Sequence, residues 1–259
     1  MPIITLTTDF GKGGYYLAAL KGKLLTVSKK VTIVNICDVI KPFCISQAAF
    51  ILGNSYAHFP KKTVHLVGVL SSYDKKNRYV AIKHNNHFFI GADNGVFSIM
   101  FKNKVEAAVK LPESDVENQS SFPELNYFAS CAVKLAEGAA LKDVGQPIKQ
   151  IKETYALQPI YTNNLITASV LFIDDYKNVI LNVTKALFDK VGQGRNFSVN
   201  YNSRDYINKM NKHYGSTGVL EKCCFFNDAG YLQISMIQGR ASEMFGIYEN
   251  DKILIEFTG

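Results

Sequence analysis

The 259-residue chain has no stretch long and apolar enough to cross a bilayer, which excludes a membrane-spanning helix and a membrane partner. It has no basic segment ahead of its first apolar run, and Asp9 interrupts that run, which argues against a secretory signal. Its cysteines, Cys37, Cys44, Cys131, Cys223 and Cys224, form no CxxC pair and leave an odd one over. Reduced thiols in a cytoplasmic protein with no metal site are therefore expected. Arginine is scarce: Arg78, Arg195, Arg204 and Arg240 are the only four. The lysines behind the formal charge of +7 come as scattered pairs, such as Lys29-Lys30 and Lys61-Lys62, rather than as one stripe. Nucleic-acid recognition leans on arginine forks, so the charge reads as solvated surface and not as a nucleic-acid site. Internal repeats and low-complexity tracts are absent as well.

What is present is material for a core: 47% of the residues are hydrophobic and 20% charged. The pattern along the first part alternates. "IITLTT" reads as a strand, and Leu17, Leu20, Leu24 and Val27 follow at helical spacing. "VTIVNI" and "TVHLVGVL" are continuous apolar runs suited to strands with both faces covered, with a helix through Ile45, Ala48, Ala49, Leu52 and Tyr56 between them. "YVAIK" and "HFFIG" read as a hairpin, and Leu125, Phe128, Ala132 and Leu135 mark a helix over 122–137. These predict a layered α/β domain over residues 1–148. The stretch "VGQPIKQIKETYALQPIYTNN", with two prolines and no firm period, reads as a linker, placed over residues 149–166. The short strand signals that follow predict a smaller β-rich barrel or sandwich over 167–259.

One stretch carries a chemical question. In "ITLTTDFGKGGYYLAALKG" a strand ends on the carboxylate of Asp9, then passes through glycines before a helix begins. Asp9 either caps that helix or faces a ligand, to which the glycines permit close backbone approach. Taken in order, "TTDFG…KG", "AAFIL…FPKKTVHLV", "GADNGVFS" and "IDDYKNVILNV" resemble the S-adenosyl-L-methionine (SAM) hydroxide adenosyltransferase family, the adenosine-forming SAM hydrolases related to the SAM-dependent fluorinase and chlorinase. The resemblance spans nearly the whole chain.

It implies an α/β domain, a β-rich domain, and a homotrimer with sites between neighbouring subunits. The ligand it implies is SAM or adenosine, as substrate, with no separate cofactor. The shared reaction is displacement at the ribose C5′, which requires the ribose held in line and a partly desolvated nucleophile. By the same resemblance Asp9 accepts the ribose hydroxyls. Phe43 lies against the ligand, Asp174, Tyr176 and Asn178 serve adenine, and Tyr214 is a second adenine-facing aromatic. Read without the resemblance, Phe43 suits a core and the Asp174–Asn178 segment suits a hairpin loop. "ADNG" predicts a tight turn with Gly95 at positive φ.

The departures concentrate at the reacting end. Leu70 stands for the hydrolases' aspartate, Asn77 for their arginine with Arg78 one residue late, and Pro123 for their histidine. Gly14 replaces an aspartate implied to hold the methionine ammonium, and Asp38 a histidine. Glu124 falls where the fluorinase has a serine, and a carboxylate beside a halide argues against halogenation. Glu124 is the one candidate catalytic residue, against the alternative of a solvent-facing first-turn residue. Two functions stay open: a SAM hydrolase, and a catalytically silent nucleoside-binding protein.

Overall fold

The first strand, β1 (Ile3–Thr8), alternates branched apolar residues with threonine, so Ile4 and Leu6 share one face and Thr5 and Thr7 the other. The computed structural model describes residues 1–72, 78–102, 104–112, 121–202 and 205–259. They divide into two units, Met1–Ala156 and Leu157–Gly259.

In the first unit β1 is followed by α1 (Tyr16–Val27), β2 (Thr32–Cys37), α2 (Ile45–Ser55) and β3 (Val64–Gly68). Then come the hairpin β4 (Tyr79–His84) and β5 (His87–Ala92), α3 (Val96–Phe101), β6 (Ala107–Lys110), α4 (Ala129–Ala136) and β7 (Gln146–Ile148). The described strands form one sheet in the order β2-β1-β3-β5-β4-β6-β7. The first four run parallel; the remaining three are antiparallel to their neighbours. Leu20 and Leu24 of α1 and Ala132 and Leu135 of α4 cover one face with Ile4, Leu6 and Leu66. Ala48 and Leu52 of α2 and Phe97 and Phe101 of α3 cover the other with Val67 and Phe89. The hairpin turns on Asn85 and Asn86, both at positive φ, as the tightest two-residue connections require.

Two expectations change. β2 is the outermost strand and is half-buried with Asn35 exposed, because an apolar run does not say which strand will be last in the sheet. The helix over 122–137 begins with a π turn, Glu124–Phe128, before α4.

The second unit is antiparallel. Its strands are β8 (Ile160–Tyr161), β9 (Leu165–Ile173), β10 (Val179–Thr184), β11 (Asn196–Asn200), β12 (Tyr206–Ile207), β13 (Lys222–Phe226), β14 (Tyr231–Met236) and β15 (Lys252–Thr258). The helix α5 (Lys185–Gly192) follows β10 and α6 (Ala241–Phe245) follows β14. The order β12-β11-β15-β9-β10-β14-β13 makes a nearly closed barrel. Lys222 on β13 reaches Asp205 beside β12 and so bridges the two ends of the strand order. Ile166, Leu181, Cys224, Ile234 and Ile255 fill its interior.

Candidate functional site

The parallel strands β1 and β3 end side by side, with Thr8 opposite Gly68. Ligands of open α/β sheets gather at such carboxyl ends. Asp9 begins the loop there, and its backbone N–H donates to the Gly68 carbonyl at 3.1 Å. α1 starts seven residues later with Tyr15 at its cap position and no side-chain cap, so Asp9 is not a helix cap. Its Oδ2 instead accepts the backbone N–H of Phe43 at 2.9 Å and that of Leu70 at 3.3 Å. Both donors belong to non-glycine residues in the left-handed region, Phe43 at φ 66° and Leu70 at φ 48°. Such backbone costs about 1–3 kcal/mol per residue and persists where the surroundings enforce it, commonly at ligand sites.

Asn94 helps enforce it, donating its side-chain amide to the carbonyls of Val69 at 2.9 Å and Leu70 at 3.1 Å. Gly95 follows at φ 107° and opens α3, as expected of the turn. The Phe43 ring is 69% exposed, displayed beside Asp9 rather than packed in the core. Phe122 packs edge-to-face on both Phe10 and Tyr16, whose rings are tilted to one another, in an aromatic cluster adjoining Asp9.

Glu124 is not at the surface. It is 3% exposed, at the head of the π turn, with its carboxyl against the Cα of Gly68. A methyl group added at Gly68 would lie 3.0 Å from Glu124 Cγ and 3.1 Å from both Glu124 Oε1 and Phe10 Cζ. Burial pushes the Glu124 carboxyl up to about 7, the neighbouring Ser71 hydroxyl and the turn's own backbone N–H oppose the rise, and the charge of Asp9 adds to it. Ser71 Oγ and Thr8 Oγ1 are buried and have no well-formed hydrogen bond among the described residues.

The other reacting-end positions are now placed. Leu70 contributes its N–H rather than a side chain. Arg78 is committed elsewhere: its Nε pairs with Asp93 at 2.9 Å and its guanidinium also binds the Gln150 carbonyl. Asp38 accepts from Asn35 at 3.1 Å, and its carbonyl receives the Gly11 N–H. Gly14 lies against the Tyr16 ring. Asn77 lies outside the described residues. No group of three described His, Cys, Asp or Glu side chains is arranged to hold a metal.

The remaining candidates sit in the second unit. The β9–β10 hairpin loop is closed by Asp174, whose two carboxylate oxygens accept the backbone and side-chain N–H groups of Asn178, each at 2.8 Å. Asn178 is buried, its Oδ1 without a hydrogen bond among the described residues, while Tyr176 stands 80% exposed at the tip. The Tyr214 hydroxyl receives the Gln238 N–H at 2.8 Å and donates to the Met236 carbonyl. That same 236–242 segment continues to Ser242, whose N–H donates to the Lys177 carbonyl. Tyr214 and the Asp174–Asn178 loop therefore brace one stretch of chain. The structure brings Asp9, Phe43, Leu70 and Glu124 together in one unit and the four adenine candidates together in the other.

Reading the sequence missed Gly68, Ser71 and Thr8. Only Gly68 left a signal, since a glycine inside an apolar strand marks a close approach. It also missed a buried histidine pair on the opposite face of the sheet. There His65 bonds Thr5 at 2.7 Å and His87 at 3.2 Å, and desolvation lowers its pKa to about 3.

Residues 4–145 match the SAM hydroxide adenosyltransferase N-terminal domain, and residues 168–254 match the C-terminal domain of the same family. Among curated proteins, the (R)-S-adenosyl-L-methionine hydrolase of Methanocaldococcus jannaschii is 25% identical, over 98% of this chain and 96% of that protein. The hydrolase of the same name from Salinispora arenicola is 24% identical over 98% and 97%. A fluorinase from Nocardia brasiliensis is 25% identical over 74% of this chain and 75% of its own. Among solved structures, an uncharacterized conserved protein from Thermotoga maritima shares the fold, with a TM-score of 0.87 at 24% identity over 98% and 99% of the two chains.

Proposed function

The chain belongs to the SAM hydroxide adenosyltransferase family, and from that premise we propose that it binds SAM by its adenosine moiety and hydrolyses it to adenosine and methionine. The observation that carries the reading is the Asp9 carboxylate. Oδ2 is fixed by two backbone N–H groups, and Oδ1 has no partner among the described residues. An ionised carboxylate has acceptor capacity only, so the free oxygen suits ribose hydroxyls. The exposed Phe43 ring offers an apolar wall beside it.

The sulfonium of SAM is already an activated leaving group and departs as a neutral thioether. The protein's tasks are therefore to align the ribose and to present a water in a partly dry site. Gly14 has no side chain to grip the amino-acid end, so affinity rests on adenosine. We further propose a homotrimer in which Tyr176, Asn178 and Tyr214 serve the adenine of a site completed by a neighbouring subunit. A cytoplasmic location fits the five free thiols.

Calorimetry with adenosine, SAM and methionine, followed by chromatography of the SAM incubation, tests the reading. The expected result is comparable affinity for adenosine and SAM, together with adenosine released above the enzyme-free control. Binding without release identifies instead a silent nucleoside-binding protein. Leu70 in place of the hydrolases' aspartate, and Arg78 held by Asp93, are the observations that keep that second reading in play.

A further inference from the structure

We infer that Glu124 is the general base of this reaction, holding the attacking water together with the hydroxyls of Ser71 and Thr8 and accepting its proton. The inference rests on the hydrolysis reading above and deepens it.

Three observations converge on it. First, the chain buries an acid that no described lysine or arginine neutralises. Burying a lone carboxylate costs several kcal/mol, so an apolar residue would serve a merely structural position better. Second, the acid is held in place. Pro123 precedes it, the π turn carries it inward, and Gly68 is the one residue type that leaves room for its carboxyl. π turns inserted ahead of a regular helix occur frequently at functional sites.

Third, it shares its surroundings with two buried hydroxyls. Ser71 Oγ lies beside it, and Thr8 is the register partner of Gly68. By the alternation of β1, Thr8 points to the face of Ile4 and Leu6, the face on which α4 and the π turn pack. Buried hydroxyls are nearly always paired, so Thr8 Oγ1, without a partner among the described residues on the face where Ser71 meets a buried acid, marks a place for a polar guest. That place adjoins the ribose anchor, because the Asp9 N–H is bonded to the Gly68 carbonyl beneath Glu124.

The step balances without any co-reactant. The water oxygen forms a bond to C5′ as the C5′–S bond breaks, and the electron pair of that bond passes to sulfur. One water proton goes to the Glu124 carboxylate and then to solvent. SAM and water thus give adenosine, methionine and a proton. Among the described residues Asp9 is the charged group that acts on Glu124, and Ser71, Gly68 and Phe10 are further neighbours. A base poised near neutrality suits proton transfer at neutral pH, and the arriving sulfonium cation favours its ionised form.

The test is steady-state hydrolysis of SAM by wild type, Glu124→Gln and Glu124→Asp, with adenosine affinity and melting temperature measured on each. The expected result is a kcat lower by about 10²–10⁴-fold in Glu124→Gln with adenosine affinity unchanged, and partial rescue in Glu124→Asp. Wild-type kcat/KM, which reports the free enzyme, should rise with pH through about 7, and that of Glu124→Gln should not. A normal kcat with a raised KM for SAM in Glu124→Gln makes the residue a counter-ion for the sulfonium and overturns the assignment. Unaltered kinetics in that variant overturn it too, while leaving hydrolysis standing. Absence of turnover in wild type overturns hydrolysis itself, and the base with it.

Discussion

Asp9 receives the backbone N–H of Phe43 at 2.9 Å across 34 positions of sequence, and Phe43 must adopt a left-handed backbone, at φ 66°, to donate it. The same Oδ2 receives Leu70, also left-handed at φ 48°. One side chain thus ties the ends of β1 and β3 to the loop before α2, with its second oxygen left for a ligand. Asp9→Ala is expected to weaken adenosine and SAM alike by roughly 1.5–3 kcal/mol, the range for hydrogen bonds to a charged acceptor. Calorimetry on the folded variant checks this. Unchanged adenosine affinity would remove Asp9 from the ribose site.

Gly68→Ala is expected to separate binding from chemistry. Its methyl group would press on Glu124 Cγ and Oε1 and on Phe10 Cζ at 3.0–3.1 Å, and the flexible Glu124 side chain is the neighbour best able to move. Stability should fall by about 1–3 kcal/mol, as for other overpacked sites. SAM turnover should fall while adenosine binding is kept, read by denaturant unfolding, kinetics and calorimetry on the same protein.

Glu124 and His65 bias stability against pH in opposite directions. The Glu124 carboxyl rises from its ordinary 4.5 to about 7 in the fold, so its contribution is intact below about pH 4.5 and lost as pH climbs through 7. The charged form then costs roughly 3 kcal/mol by that shift. The His65 imidazole is lowered from 6.5 to about 3, so its contribution is intact above about pH 6.5 and lost as pH falls toward 3. Urea unfolding should therefore find Glu124→Gln more stable than wild type near pH 8 and no more stable near pH 4. Between these limits the variant should lose stability with acid more steeply, because the compensating proton on Glu124 is gone.

The proposed trimer gives a complementation experiment. If Asn178 of one subunit serves the site of another subunit's Asp9, mixtures of Asp9→Ala and Asn178→Ala proteins should regain adenosine sites after subunit exchange. Neither variant alone should bind at wild-type strength. A monomer by light scattering with full adenosine binding would contradict the arrangement.

Much of this was legible in the sequence. The alternation of β1, the Leu17–Val27 stripe and the paired asparagines of the β4–β5 turn announce their structures locally, because each depends on near neighbours. Asp9 after a strand and before glycines was equally readable as a candidate. The rest depends on contacts between distant segments. Nothing near Phe43 or Leu70 foretells a left-handed backbone, since neither is glycine or asparagine and the enforcing partners lie in other elements. A glutamate after proline at a helix start looks the same whether it faces water or Gly68, so the burial of Glu124 appears only in three dimensions. The engagement of Arg78 with Asp93 is likewise a cross-strand matter, and it commits the arginine next to the family position to a partner in its own sheet.

The central claim is that water attacks the ribose C5′ of SAM in the Asp9 site, and the most direct test is mass spectrometry of the adenosine formed in heavy-oxygen water. The account predicts one solvent oxygen in the 5′-hydroxyl of every adenosine released by wild type, in an amount far above the enzyme-free control. Adenosine without solvent oxygen, or no adenosine above that control, would contradict it.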